Sequence, residues 1–589
     1  MAVPLLGSHL SNGRINVGLL RECSRRELLQ CLDKHPGSKA LVWDEKLTGP
    51  FGLVAEYPLL REHEVDVMFS LKPGQLPPNQ VVNVIFITRP ILSLMDIIAD
   101  NILNLTNSTT TLFLLIFARL KFCENFLSTF LSESLNIKKI IGDDSLYQGL
   151  YRLEKSSENA KKRISYLMEN FLIFVCVQSL QRVLDMMMRK KREMADSESQ
   201  LPPQIDTVLL LDRNVDLLTP LFTQLTYEGL IDELFGIHNT TAKFPHERFL
   251  QPDDKGVNPQ PSGPQTDKKV VLNSADELFS DIRDLNFSAV GVHLSRKAKQ
   301  ISAAFEEHKS AKTVGEMKQY VQRLPYMQKA KASLAMHMTI AELIKEETDK
   351  EDFRESIRIE QEFAQGLDTE KINSYIEKYI ALKKPLTKVL RLICIQCQTN
   401  NGFKPKMLEY YIREIVHTYG FEQVSKTLTP LETVGLLRPQ GARTYTAMRK
   451  SIKLFVEDVK EQNPDDIAFV YSGYAPLSVR LAQFLSRPQG WRGLEEVLRL
   501  LPGPTIEERQ PLPPGLQKRY TGDSPPKVTL VYFIGGCTYA EVAALRFLSQ
   551  QDNSPTDFVI ATTKMITGST WLNSLVEDPL PKETQKIHI

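Results

Sequence analysis

No stretch of this 589-residue chain is apolar for long enough to cross a membrane as a helix, which takes about 20 residues. The longest apolar runs, Leu112 to Ala118 and Phe171 to Val177, fall far short. Net charge is missing too: 72 basic side chains against 71 acidic ones leave +1. No global field therefore favours nucleic acid or an acidic membrane surface. Cysteine is sparse, seven residues without a disulfide framework, as expected of a reduced compartment. Cys394-Ile-Gln-Cys397 is a lone CxxC. Zinc would need a second pair, and Cys123, Cys176 and Cys537 stand alone. Leu390 to Cys397 reads as mid-helix, so two packed thiols one turn apart are expected. His337 has neither HExxH spacing nor a cysteine partner, and reads as packing or surface. No cofactor, no metal and no nucleic acid are expected. Met1 to Leu10 lacks a basic region followed by an apolar core, so no secretory signal is expected. Membrane contact should be indirect, through partners.

What the chain does have is length for three or four domains and a dense central stretch. Val208 to Leu211 is a short apolar run, the pattern of a buried parallel strand. Asp212, Arg213, Asn214 and Asp216 crowd its end. Pro220 breaks the backbone, and Leu221 to Phe235 resumes with helical spacing. Open α/β sheets place ligand sites at such strand ends. An ion-pair network of Asp212, Arg213 and Asp216 that holds loops together is the favoured reading, and an enzyme site the competing one.

The N-terminal segment reads α/β, with a helix over Val17 to Leu32 and strands at Ala40 to Trp43 and Val81 to Ile87. Met186-Met-Met-Arg-Lys-Lys-Arg reads as a solvated helix C-terminus. Lys243 to Lys269 is a linker rich in Pro, Asp, Gly and Gln. Asn273-Ser-Ala-Asp-Glu-Leu-Phe opens a helix with a polar cap. Leu294 to Ile380 is almost wholly helical. Val314, Met317, Val321 and Leu324 form a stripe, Pro325 interrupts, and Met327, Ala330, Leu334, Met338, Ala341 and Ile344 form another. Small residues and methionines there suit close, variable helix partners. Glu409 to Val459 reads as winged-helix-like, without the arginine and lysine density of a DNA reader. Ala468 to Tyr471, Val528 to Ile534 and Phe558 to Thr562 read as buried strands. The strands from Val208 and Val528 should share one sheet. Gly535-Gly-Cys-Thr-Tyr-Ala-Glu lies between strand and helix, where phosphate can bind, but lacks both GxGxxG and GxxxxGKS/T.

Several ordered motifs carry a resemblance. Leu211-Asp-Arg-Asn-Val-Asp-Leu-Leu-Thr-Pro-Leu and Gln224-Leu-Thr-Tyr-Glu-Gly-Leu-Ile-Asp-Glu are the first. Trp43-Asp-Glu-Lys-Leu-Thr-Gly-Pro, Arg323-Leu-Pro-Tyr-Met-Gln-Lys-Ala and Phe533-Ile-Gly-Gly-Cys-Thr-Tyr-Ala-Glu follow. Together they resemble the SM (Sec/Munc) family of SNARE-binding proteins, in its class C vacuolar-sorting branch. The match covers roughly Asn12 to Asp100 and Leu180 to Glu577; Leu103 to Val177 matches no family motif, and Cys537 replaces a usual aliphatic residue.

The resemblance implies a three-domain α/β arch. Two doubly wound parallel-sheet domains would occupy about 1–125 and about 126–240 plus 465–589. A large, mostly helical third domain, about 241–464, would be inserted, with a hairpin about 294–380 and the winged-helix-like part about 405–460. It implies no catalysis. It implies SNARE assembly, with syntaxin-like and R-SNARE helices held on the hairpin. The stripes there make Met317, Tyr320, Leu324, Met327, Leu334 and Met338 candidate contacts, although such stripes usually face a core and some of the six must face the domain's own. It also implies membership of HOPS/CORVET-type tethering complexes at late endosomes and lysosomes. The partner there would be a helical-solenoid subunit like vacuolar protein sorting-associated protein 16. Arg438, Tyr445 and Met448 are candidates for that contact, presented outward by the loop between Pro439 and Tyr445; the equal alternative is that Tyr445 caps the domain's own core. Competing readings are a nucleotide-dependent enzyme with its site at Asp212 and Gly535, and a purely structural subunit.

Overall fold

A computed structural model describes parts of residues 10–117 and, with short gaps, 205–249, 267–309, 314–507, 527–551 and 556–576. The basic run at Met186 to Arg192 lies outside the described residues. The chain forms two compact units, Met1–Ile164 with Glu577–Ile589, and Ser165–Val576.

In the first unit, β1 (Lys39–Trp43), β2 (Val65–Ser70), β3 (Asn83–Thr88) and β4 (Leu112–Phe117) form a parallel sheet in the order β2-β1-β3-β4. Helix α1 (Tyr57–Glu62) carries a proline in its first turn, where no donor is lost. The two runs read as strands are β1 and, displaced by two residues at its start, β3. Every residue of both is buried, which explains their apolar composition. Lys39 is the exception in kind. Its buried Nζ lies 2.9 Å from the exposed Glu64 carboxylate and donates to the Gly37 and His63 carbonyls. The Leu112 run is too short for a membrane and pairs with β3 instead.

The second unit opens with β5 (Thr207–Asp212) and helix α2 (Tyr227–Leu234). A small antiparallel sheet follows: β6 (Ile237–His238), β7 (Thr241–Phe244) and β8 (Lys268–Val271). Then come α3 (Glu277–Ile282), α4 (Phe287–Lys309), α5 (Val314–Thr348), α6 (Glu351–Ala364), α7 (Glu370–Ala381) and α8 (Leu386–Thr399). Next are α9 (Pro405–Tyr419), α10 (Phe421–Val434), α11 (Thr444–Ser451), α12 (Leu477–Ser486) and α13 (Glu495–Leu500). The unit closes with β9 (Lys527–Ile534), α14 (Tyr539–Gln550), β10 (Thr556–Thr562) and α15 (Gly568–Val576).

Strand β9 pairs in parallel with β10 on one side and β5 on the other, with Leu530 opposite Val208 and Ile534 opposite Asp212. The strands from Val208 and Val528 thus share a sheet, with the helical region between them in sequence. Two readings need correction. Among the described residues strand β5 is the edge of a three-stranded sheet, and its faces differ: Leu209 and Leu211 are buried, while Val208 is 41% exposed. An apolar run does not report how many of its faces are covered. Residues Ile467–Tyr471 are a 3-10 helix, capped by Asp466, which accepts from the Ala468 N–H. A short apolar run fits a buried helix as well as a buried strand. Pro325, which interrupts the apolar stripe, lies inside α5.

Candidate functional site

The strand-end cluster is built from distant segments. Arg213 follows β5, fully buried, and its Nη1 donates to both oxygens of Glu541 at 3.0 and 2.9 Å. Its Nε donates to the Asp216 carbonyl at 3.0 Å, and its Nη2 lies 3.4 Å from the Asp216 carboxylate. Burial opposes the charge of Arg213, but Glu541 and Asp216 outweigh it and raise the pKa. Asp216 also accepts from the Thr219 and Ser478 N–H groups and the Thr219 hydroxyl. Glu541 also accepts from Thr538 and Ser478, closing a capping box on α14. Asp212 caps the turn after β5 by accepting from the Asn214 N–H. Arg213 and Asp216 therefore pair directly, while the Asp212 carboxylate serves as the cap of the turn. The missed member is Glu541, which no local spacing connects to them.

This arrangement leaves little for a phosphate. At the α14 N-terminus the Glu541 N–H goes to Thr538 Oγ1 and the Ala540 N–H to Gln224 Oε1. Gly535 and Gly536 are there for close packing. Both have positive φ, and a Cβ on Gly535 would meet Arg213 Cβ at 2.9 Å. Cys537 is buried, and burial pushes its thiol pKa well up. The same cause raises Cys394 and Cys397, buried and free on α8, so neither is a ready thiolate.

Helices α4 and α5 form the hairpin. At 35 residues α5 is about 52 Å long. Its inner face supplies Leu334, Ile340, Leu343 and Ile344 to a core shared with α2, β7, α3 and α4. Some apolar side chains of the hairpin are in solvent: Tyr326 is 59% and Met338 44% exposed, and Val292 of α4 is exposed too. Tyr326 also donates its hydroxyl to Glu277 at 2.6 Å.

The six sequence candidates on α5 divide. Met338 is exposed and Leu324 half-buried. Met327 and Leu334 are buried, Leu334 in the unit's own core, so neither is a free contact. Met317 and Tyr320 lie on α5 with side chains outside the described residues. The buried residues described on α5 are 327, 334, 337, 340, 343 and 344. Met327, Leu334 and Ile344 of the stripe read from sequence are among them, Met338 is not, and of the two readings of His337 the structure takes packing. Tyr326 was missed because a tyrosine beside a proline reads as core or turn.

The winged-helix-like part needs a similar correction. Tyr445 is only 4% exposed and does not point outward. It is the second residue of α11, on that helix's apolar face, and its hydroxyl finds the Ala364 carbonyl at 2.6 Å inside the core. Its N–H donates to Asn401 Oδ1. Met448 is half-buried against the same core. Arg438 is half-buried, with its backbone N–H on Cys397 Sγ at 3.3 Å.

The description "Sec1 family" matches residues 39–574. Vacuolar protein sorting-associated protein 33A of Rattus norvegicus is 52% identical, covering 98% of this chain and all of that one. The protein of the same name in Drosophila melanogaster is 35% identical, covering 96% and 98%. A solved complex of the SM protein Vps45 with the Qa SNARE Tlg2 is similar in fold, with a TM-score of 0.50 at 16% identity, over 95% of this chain and 97% of that one. Among the described residues no helix is long and apolar enough to cross a membrane.

Proposed function

This chain belongs to the Sec1 family, and from that premise we propose that it binds SNARE helices and templates their assembly in vesicle tethering and fusion. The same reading makes it a subunit of HOPS/CORVET-type complexes at late endosomes and lysosomes, partnered by a vacuolar protein sorting-associated protein 16-like solenoid. It divides the chain into the three domains set out from sequence. Its full-length relatives are named for vacuolar protein sorting, and a relative in fold was solved with a Qa SNARE. The observation that carries the reading is the hairpin: a long helix, packed in part against the unit's core, that still keeps Tyr326 and Met338 in solvent.

The physical task fits that surface. A SNARE motif is disordered alone, and its ordering cost opposes zippering. A scaffold that holds it as a helix removes part of that cost beforehand. Contacts at i, i+3, i+4 and i+7 of the bound helix are the mode such a surface reads. No bond is made or broken, so the action is not enzymatic. For the tethering contact, Arg438 and Met448 remain candidates at the surface, with Tyr445 supporting them from beneath.

The test uses the full chain, a synthetic Qa-SNARE motif peptide and the solenoid subunit. Tyr326→Asp and Met338→Asp should each weaken the peptide about tenfold with solenoid co-purification unchanged. Met338→Asp should also leave thermal unfolding unchanged, whereas Tyr326→Asp gives up the bond to Glu277 as well. Parent-like peptide binding by the double variant rules out the hairpin face and leaves a structural subunit.

A further inference from the structure

Three elements converge on His337, which is fully buried on α5. Its Nε2 lies 3.2 Å from Asp276 Oδ2, and its Nδ1 lies 2.9 Å from the Tyr227 hydroxyl on α2. The ring stacks on Phe279 of α3, centroids 5.8 Å apart, and meets Tyr227 edge-on. Ser333, one turn earlier on α5, donates to both Asp276 oxygens at 2.8 Å. Asp276 is itself the N-cap of α3, accepting from the Phe279 N–H.

The proton positions follow from this geometry. A carboxylate only accepts, so Nε2 carries the proton toward Asp276. Nδ1 then accepts from the Tyr227 O–H. Burial lowers the pKa of His337 against the pull of Asp276, which keeps the ring in this neutral form.

Apolar packing alone sets the rotation of such a helix loosely. Leu334, Ile340 and Leu343 can trade one apolar neighbour for another, and the methionines around them adapt. Hydrogen bonds are directional and do not trade. Turning α5 by one residue, about 100°, carries the imidazole away from both partners and leaves buried polar groups without bonds. At the surface, Tyr326 meets Glu277, the residue beside Asp276, so both contacts anchor α5 on the start of α3.

We infer that His337 is the positioning residue that sets the rotation of α5, and with it the residues, Tyr326 and Met338 among them, that the hairpin shows to a partner helix. The second half rests on the SNARE-binding reading; the first does not.

The experiment pairs amide hydrogen exchange along α5 with binding of the fluorescent Qa-SNARE motif peptide, both on the full chain. His337→Gln keeps one donor and one acceptor, and should retain parent-like exchange and an affinity within about twofold. His337→Leu fills the space without polar atoms. Exchange over residues 326–344 should rise about tenfold and affinity fall about tenfold. Tyr227→Phe removes only the O–H that faces Nδ1, so it tests the same point if the leucine variant does not fold. It should move both readouts the same way, about threefold. Parent-like exchange in the folded variants overturns the inference. So does a glutamine variant no better than the leucine one, because bulk would then be what holds the helix. Raised exchange with unchanged peptide binding supports the positioning role and overturns its link to the SNARE surface. A parent chain that fails to bind the peptide fails the functional reading instead, while exchange still decides the positioning role.

Discussion

At the strand ends, Arg213 keeps a full charge between two buried carboxylates; at the hairpin's base, His337 lies neutral between a phenol and one partly exposed carboxylate. The first arrangement stands only when complete. Losing one member leaves a buried charge without its counterpart, which costs far more than the pair contributes. Such a cluster suits a junction that must never open: β5, α12 and α14 meet there. The second holds geometry through direction with little stored charge. It suits a helix whose rotation must be held.

Removing Glu541 should break the comparison most visibly. Glu541→Ala leaves Arg213 with only Asp216, and unfolding by denaturant should show a loss of about 3–5 kcal/mol. A loss comparable to that of a neutral hydrogen bond would erase the distinction between the two clusters. Tyr445 supplies the neutral reference within the same unit. Tyr445→Phe keeps the ring and gives up the bond to Ala364, so about 1 kcal/mol should be lost on the same unfolding curve. Tyr445→Asp, by contrast, should unfold the region around α11, and a folded Tyr445→Asp chain that merely lost its solenoid partner would return Tyr445 to the surface.

Glu228 sharpens the comparison by lying between the extremes. It is buried on α2, 3.5 Å from Arg546, which Asp284 holds more closely at 2.8 Å. Burial, the larger effect, outweighs Arg546 and raises its pKa from 4.5 to about 7. The folded value is above the unfolded one, so its contribution is fully present below pH about 4.5 and is lost as pH rises through about 7. Glu228→Gln should therefore gain stability relative to the parent as pH is raised across that window. A difference between the two chains that stays flat with pH would show Glu228 ionised and fully paired.

The legible parts of the molecule were those governed by local pattern. Buried central strands such as β1 and β3 announce themselves through unbroken apolar runs, and α4 and α5 through helical spacing. The family resemblance added connectivity that periodicity does not carry. The illegible parts depend on distant partners. Arg213 lies 328 residues from Glu541, and no spacing rule reaches that far. His337 reads as packing or surface; what sequence cannot show is that Tyr227 and Asp276, 110 and 61 residues away, satisfy the ring once it is buried. Tyr445 is open in sequence between interface and core, and the structure decides for the core. A tyrosine near arginines resembles an interface anchor, but its hydroxyl is satisfied indoors by a carbonyl from α6.

The pairing of β5 with β9 also has a consequence in time. A ribosome adds about 5–20 residues each second, so the 328 residues from Arg213 to Glu541 take on the order of half a minute to synthesise. Throughout that interval β5 has no β9 beside it, and the arginine at its end has no Glu541 to meet. The central motif is made early and completed late. A message truncated before codon 527 would release a nascent chain whose first sheet can assemble but whose second cannot, with β5 left as a bare edge open to the wrong neighbour.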